Sequence, residues 1–129
     1  MTERLEIRSS EDVVRVRQRV RALAVEAGLS LVDQTKVVTA ASELARNMLD
    51  YGGGGIADME VTHAPRRGVR LTFSDEGPGI RDVEAALRDG YTTGNGLGLG
   101  LGGAKRLSSE FSIESRPGQG TRVCIARWK

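Results

Sequence analysis

Gly94-Asn95-Gly96-Leu97-Gly98-Leu99-Gly100-Leu101-Gly102-Gly103 places glycine at nearly every second position, and the reading of this run decides the fold. Ordering so many glycines costs more chain entropy than ordering other residues, so packing or a bound group must offset it. A phosphate-binding loop that opens onto a helix N-terminus does this through backbone N–H groups and the helix dipole. Leu97, Leu99 and Leu101 would then anchor the loop, or the first helical turn, to the core. Two familiar phosphate motifs are excluded. There is no G-x-x-x-x-G-K-[ST] in the chain. Gly98, Gly100 and Gly103 match G-x-G-x-x-G, but they follow the Thr92–Thr93 loop instead of a strand, and no βαβ unit surrounds them. By itself the run does not choose its ligand.

The sequence on either side supplies the frame. Upstream, Leu5 and Ile7 alternate with polar residues as in a short strand. Val13, Val16, Val20, Leu23, Ala24 and Ala27 then recur at helical spacing, with Ser9 or Ser10 to cap the helix and Gly28 to stop it. Ser30 and Asp33 form a capping-box-like pair at the start of a second helix, expected from Leu31 to Asp50. Its apolar face is Val37, Val38, Ala41, Leu44, Ala45 and Met48. Strands are expected at Ile56–Thr62 and Val69–Phe73, and a third helix over Gly98–Leu107. A last hairpin pairs Phe111–Ser115 with Thr121–Ile125 through the turn Pro117–Gly120. Hairpin strands beside separated helices indicate an α+β sandwich with its helices on one sheet face.

Bulk properties agree with one ordinary domain over residues 1–129. The chain is 39% hydrophobic and 28% charged, enough to bury a core without disulfides or structural metal. Aromatics make up only 4%, which argues against base-stacking platforms for single-stranded nucleic acid. Lys and Arg outnumber Asp and Glu by only 19 to 17. The cluster Arg15, Arg17, Arg19 and Arg21 scatters around its helix, and with Arg66, Arg67 and Arg70 it is read as solvated surface, not a nucleic-acid stripe. Cys124, the single cysteine, is expected as a buried structural thiol. No apolar run approaches the roughly 20 residues of a membrane span, and no signal-peptide pattern opens the chain. The expectation is a cytoplasmic protein with neither nucleic acid nor membrane as partner.

Three further segments carry chemistry. Glu43, Arg46, Asn47 and Asp50 share one polar helix face, with Glu43 and Asn47 one turn apart. A carboxylate and a carboxamide so placed suit Mg²⁺, which takes few protein ligands and completes its shell with water and phosphates. The alternative is a solvated face held by an Arg46–Asp50 ion pair. Asp75-Glu76-Gly77-Pro78-Gly79 follows a strand, so Asp75 can accept a hydrogen bond from an exocyclic amine while the glycines admit a flat ligand. It is equally good turn chemistry. Gly118-Gln119-Gly120-Thr121 closes the last hairpin.

In this order the segments resemble the N, G1 and G2 boxes and the G-x-G-T turn of the GHKL ATPase superfamily, over nearly the whole chain from Ser10 to Trp128. The stretches S-E-L-A-R-N, D-E-G-P-G-I, D-G-Y-T-T-G-N-G-L-G-L-G-L and K-R-L, with a very short lid between Asp89 and Gly98, are most similar to RsbT-type serine kinases of bacterial stress signalling. The resemblance implies the Bergerat ATP-binding fold, with a mixed sheet and helices on one face. It implies that Asn47 ligates Mg²⁺ bridging the ATP phosphates and that Glu43 is general base or positions the substrate hydroxyl. Asp75 would bind the adenine amino group, supported by Thr121 through water, with Gly77, Gly79 and Ile80 shaping the adenine pocket. Gly96, Leu97, Gly98, Leu99, Gly100 and Gly102 would line the phosphates, and Arg46 and Lys105 would add positive charge there. Tyr51 stands where many relatives have histidine.

The function implied is a protein-serine/threonine kinase and partner-switching regulator. It would phosphorylate STAS-domain scaffold proteins of a stressosome and activate a PP2C-type phosphatase. An anti-sigma factor of the same fold and a catalytically silent nucleotide-dependent module are the alternatives. A sensor histidine kinase is not expected, because the chain has no room for a phosphoacceptor segment and His63, its one histidine, falls near a strand end.

Overall fold

Two serines start the two long helices, which fix the rest of the helical layer. Helix α1, Ser10–Glu26, is preceded by Ser9, and the Asp12 carboxylate accepts the backbone N–H of Arg8 at 2.9 Å and of Ser9 at 3.1 Å. These two amides, Arg8 first, hold the Asp12 carboxyl below the usual carboxylate range. Gly28, at φ +80°, ends the helix, and the Leu29 N–H reaches back 3.0 Å to the Ala24 carbonyl. Helix α2, Leu31–Gly52, begins with the Ser30 hydroxyl accepting the Asp33 N–H at 3.2 Å and ends at Gly53, φ +76°. All the apolar helix positions expected from spacing are buried, from Val13 to Ala27 and from Val37 to Met48.

The computed structural model describes residues 2–80, 82–87 and 100–129. Five strands complete it: β1 Thr2–Ile7, β2 Gly55–Thr62, β3 Gly68–Asp75, β4 Glu110–Ser115 and β5 Thr121–Trp128. Two short helices, α3 Val83–Ala86 and α4 Gly100–Arg106, lie between β3 and β4. Four-residue α3 was not anticipated, and the expected third helix starts at Gly100 within the described residues.

The strands are ordered β1-β2-β3-β5-β4, and every neighbouring pair is antiparallel. The expected mixed sheet is therefore corrected to an antiparallel one. Its cause is the connectivity. The α1–α2 hairpin returns the chain to the end of the sheet it left, so β2 runs against β1. Strands β3 and β4, joined through α4, do run the same way, but β5 sits between them.

Alternation along the strands divides the sheet into two faces. Leu5, Ala57, Met59, Leu71, Phe73, Val123 and Ile125 face the helices and meet α1, α2 and Leu101 of α4 in one core. The other face is polar. Arg4 pairs with Asp58 at 2.7 Å, Arg70 reaches Glu60 at 3.7 Å, and the Arg70 guanidinium lies 5.8 Å from the Trp128 ring centroid. Cys124 belongs to this second face, half-buried with its sulfur 3.6 Å from the Thr72 hydroxyl, and not to the core as expected. The basic clusters are largely consumed within the fold. Arg15 pairs with Asp12, Arg19 with Glu3, and Arg67 donates to the Glu26 and Ala27 carbonyls at the end of α1.

Asp33 pairs with Ser30 as expected, its N–H donating to the Ser30 hydroxyl, and it also reaches further. Its carboxylate accepts from Arg127 at 2.7 Å, and Arg127 also donates to the Leu107 carbonyl beyond α4, while its buried Nε has no partner among the described residues. One guanidinium so joins β5, the start of α2 and the end of α4. The Arg127 hydrogen bond is the main reason the Asp33 carboxyl lies below its ordinary value. A depressed carboxylate stabilises the fold above its unfolded pKa and loses that contribution as pH falls through the folded one. Asp33→Asn is expected to cost about 1 kcal/mol at pH 7. Its urea midpoint should converge on that of the wild type as pH falls below the ordinary carboxylate range.

Candidate functional site

The site starts from a shortage of side chains. At the end of α2, a Cβ added to Gly52 would stand 2.6 Å from the Asp75 carboxyl carbon. A Cβ on Gly55 would meet the Ser74 carbonyl, and lie 2.6 Å from the Met48 sulfur and 3.1 Å from the Asp75 Cβ. Asp75 thus lies on a floor that two glycines leave open, where α2 ends against the sheet. In the sequence the run Gly52–Gly55 reads only as the end of the second helix.

Asp75 itself is the last residue of β3, two beyond the expected strand end, and it pairs with Thr121 of β5. Thr121 in turn pairs with Ser115 of β4. Asp75, Thr121 and Ser115 therefore form one rung on the helix-facing side of the sheet. The Asp75 Oδ1 accepts the Gly77 N–H at 2.9 Å, which fixes the carboxylate over the turn that follows. All three residues are half-buried, so they meet both protein and solvent.

The turn 75–80 is pinned from two sides. A Cβ on Gly77 would lie 2.6 Å from the Gly52 Cα, so Gly77 is required by the approach of α2. Gly79 is at φ +77° with the Arg116 carbonyl against it, and Gly120 is at φ +79° against the Asp75 carbonyl. The Gly118 N–H donates to the Pro78 carbonyl at 2.7 Å, and the Ile80 N–H donates to the Ser115 hydroxyl at 2.7 Å. Gly77 and Gly79 were expected to admit a flat ligand. Their immediate physical role is to let two turns and a helix end meet backbone to backbone.

Glu43 and Asn47 lie one turn apart on α2 and are half-buried, whereas Arg46 and Asp50 are exposed. The four do not behave as one solvated face, and the Arg46–Asp50 ion pair is not formed among the described residues. Among the described residues no three His, Cys, Asp or Glu side chains converge on a cation position. A magnesium ion held by one amide oxygen, water and phosphates needs no such cluster, and the oxygen donors on α2 suit it. Helix α4 packs on α2, with Leu101, Gly102, Gly103 and Ala104 buried and Lys105 exposed at its end. Gly100 opens it at φ +48°. Gly96, Leu97, Gly98 and Leu99 lie outside the described residues. Tyr51 is 43% exposed in the last turn of α2, and His63 is exposed just beyond β2.

Ser115 is the site residue that sequence reasoning missed. Its signal was present but faint: a small hydroxyl residue at the strand end opposite the G-x-G-T turn.

Comparison with known proteins identifies the family of the chain. A family profile described as histidine kinase-, DNA gyrase B-, and HSP90-like ATPase matches residues 32–129. The chain is 43% identical over 118 residues to the serine/threonine-protein kinase RsbT of Bacillus subtilis, covering 91% of this chain and 89% of that one. It is 33% identical over 117 residues to the anti-sigma F factor of Halalkalibacterium halodurans, covering 86% and 80% of the two chains. Among solved structures, the RsbU and RsbW domains of a Mycobacterium tuberculosis protein share the fold, with a TM-score of 0.70 at 20% identity. That match covers 99% of this chain and 32% of the larger one.

The two classes of glycine at the site should respond differently to substitution. Gly118, at φ +79° with nothing within 4 Å of its Cβ position, needs only its backbone conformation. Gly118→Ala is expected to cost about 1–2 kcal/mol, and Gly118→Asn to recover part of it. Gly77 meets backbone, so Gly77→Ala and Gly77→Asn should both destabilise, as read from denaturation midpoints. Recovery by Asn at position 77 would contradict the close approach to Gly52.

Proposed function

We propose an ATP-dependent protein-serine/threonine kinase, from the premise that this chain belongs to the histidine kinase-, DNA gyrase B- and HSP90-like ATPase family. The observation that carries the reading is the meeting of α2 with the sheet end. There Asp75 and Thr121 offer hydrogen-bonding groups beside glycines, and the same helix carries Glu43 and Asn47 half-buried one turn apart. The 43% identity with a serine/threonine-protein kinase across nine-tenths of the chain supports the reaction type.

In this reading Asp75 accepts a hydrogen bond from the adenine amino group, with Thr121 beside it and Gly77, Gly79 and Ile80 shaping the pocket. Asn47 provides an oxygen ligand for Mg²⁺, which when bound neutralises phosphate charge. Gly96, Leu97, Gly98, Leu99, Gly100 and Gly102 line the phosphates, and Arg46 and Lys105 add positive charge. Glu43 accepts the proton of a substrate serine or threonine hydroxyl as its oxygen bonds to the γ-phosphorus and ADP leaves. Phosphoryl transfer depends mainly on such positioning and charge placement. The protein substrates we propose are STAS-domain scaffold proteins of a stressosome, with a PP2C-type phosphatase as the second partner, in the cytoplasm. Partner switching is supported by the relatives, which include both a kinase and anti-sigma factors.

The anti-sigma relatives also favour a second reading, an anti-sigma factor that sequesters a sigma subunit. Copurification with a sigma factor would select it. Copurification with a scaffold and a phosphatase would select the first.

With Mg-ATP and a STAS-domain partner, the purified chain is expected to transfer phosphate to a serine or threonine. Glu43→Ala should lower the rate by about 10²–10⁴-fold with ATP binding retained. Asn47→Ala should remove the magnesium dependence of ATP binding. Transfer at the wild-type rate by either variant would overturn the site assignment.

A further inference from the structure

Ser115 has more hydrogen-bonding neighbours than it has protons, and this limits the direction each bond can take. Its hydroxyl oxygen lies 2.7 Å from the Ile80 nitrogen, 3.1 Å from the Gly120 carbonyl oxygen and 2.7 Å from the Thr121 hydroxyl oxygen. The Ile80 amide can only donate and the Gly120 carbonyl can only accept. A serine hydroxyl has one proton. If Gly120 takes it, Ser115 is left as acceptor to both Ile80 and Thr121, and the Thr121 proton points back at Ser115. The reverse direction would leave the carbonyl of buried Gly120 without this donor, a costly loss where water has little access.

Thr121 then has lone pairs but no proton to offer the pocket. Its cross-strand neighbour Asp75 is likewise acceptor-only when ionised, with Oδ1 already engaged by the Gly77 N–H. We infer that Ser115 is a positioning residue that sets the hydrogen-bond polarity of the pocket's base end, so that only acceptors face the ligand. An edge carrying N–H donors, such as the amino group of adenine, satisfies that wall. A 6-oxo purine presents an acceptor to acceptors and is rejected. This inference rests on the nucleotide reading above and deepens it. Ser115 reaches no ligand itself; it acts through Thr121, while its bond to Ile80 holds the turn.

The test compares ATP and inosine triphosphate binding by calorimetry across variants of the full chain. Wild type should prefer ATP. In Ser115→Ala the Thr121 hydroxyl is free to rotate and donate, and the preference should narrow about fivefold to tenfold. Ser115→Thr, which keeps a hydroxyl, should preserve the preference. The double variant Ser115→Ala with Thr121→Val should discriminate no differently from Thr121→Val alone. Equal weakening of both nucleotides in Ser115→Ala would reveal a merely structural role and overturn the inference, as would an unchanged ratio.

A measurement without substitution gives a second arm. The Thr121 hydroxyl proton should exchange slowly enough with water to be seen by NMR in the unliganded wild type, with a contact to Ser115. Exchange at the rate of a free hydroxyl would sink the assignment. Failure of the wild type to bind ATP would remove the kinase reading together with this one. ATP binding with unaltered discrimination would remove this one alone.

Discussion

The approach of the last turn of α2 to the end of β3 is the contact on which the site depends. Gly52 lies against Asp75 and Gly77, and no side chain larger than hydrogen fits between them. Because α2 is also buried along its length through Val37, Ala41, Leu44 and Met48, the core sets the height of that last turn. Interiors pack densely and transmit small displacements, so a volume change beneath α2 would be felt at the Asp75 carboxylate. The site is thus an extension of the core, with Met48 touching both.

A second constraint acts from the opposite side. The β4–β5 turn meets the turn after β3 through the Gly118–Pro78 and Ile80–Ser115 hydrogen bonds. Asp75, Thr121 and Ser115 come from three strands but share a rung, so their relative placement is set by sheet register. Register is well specified here because slipping one residue would turn Val123, Ile125, Leu71 and Phe73 out of the core. Distant apolar residues accordingly fix the spacing of polar groups that they never touch.

Much of the frame was legible in the sequence. The 3.6-residue recurrence in α1 and α2 identified their buried faces, because each helix has one core-facing stripe. Asp75, Glu43 and Asn47 were legible as chemical groups in spaced motifs. What escaped had tertiary causes. Gly52 and Gly55 look like helix stops until the sheet end is seen resting on them, and Ser115 is a plain strand serine until the Ile80 amide is seen 2.7 Å away. Cys124 was misplaced because its segment is apolar overall, although period-two alternation sets it opposite Val123 and Ile125. Asp33 was read by its local partner Ser30 alone and also answers to Arg127, near the far end of the chain. The mixed sheet came with the family resemblance, and sequence order alone does not reveal that β5 lies between β3 and β4, which run the same way.

The polar outer face of the sheet has its own consequence. Among the described residues helices cover one side only, so on the other the cross-strand pairs Arg4–Asp58 and Arg70–Glu60 stand where a second layer of apolar packing would lie. Anything that settled on this face would have to strip water from paired charges before gaining contact, and desolvating such pairs is costly. A dry contact on this face would have to replace the water around those charges before it gained anything from burial.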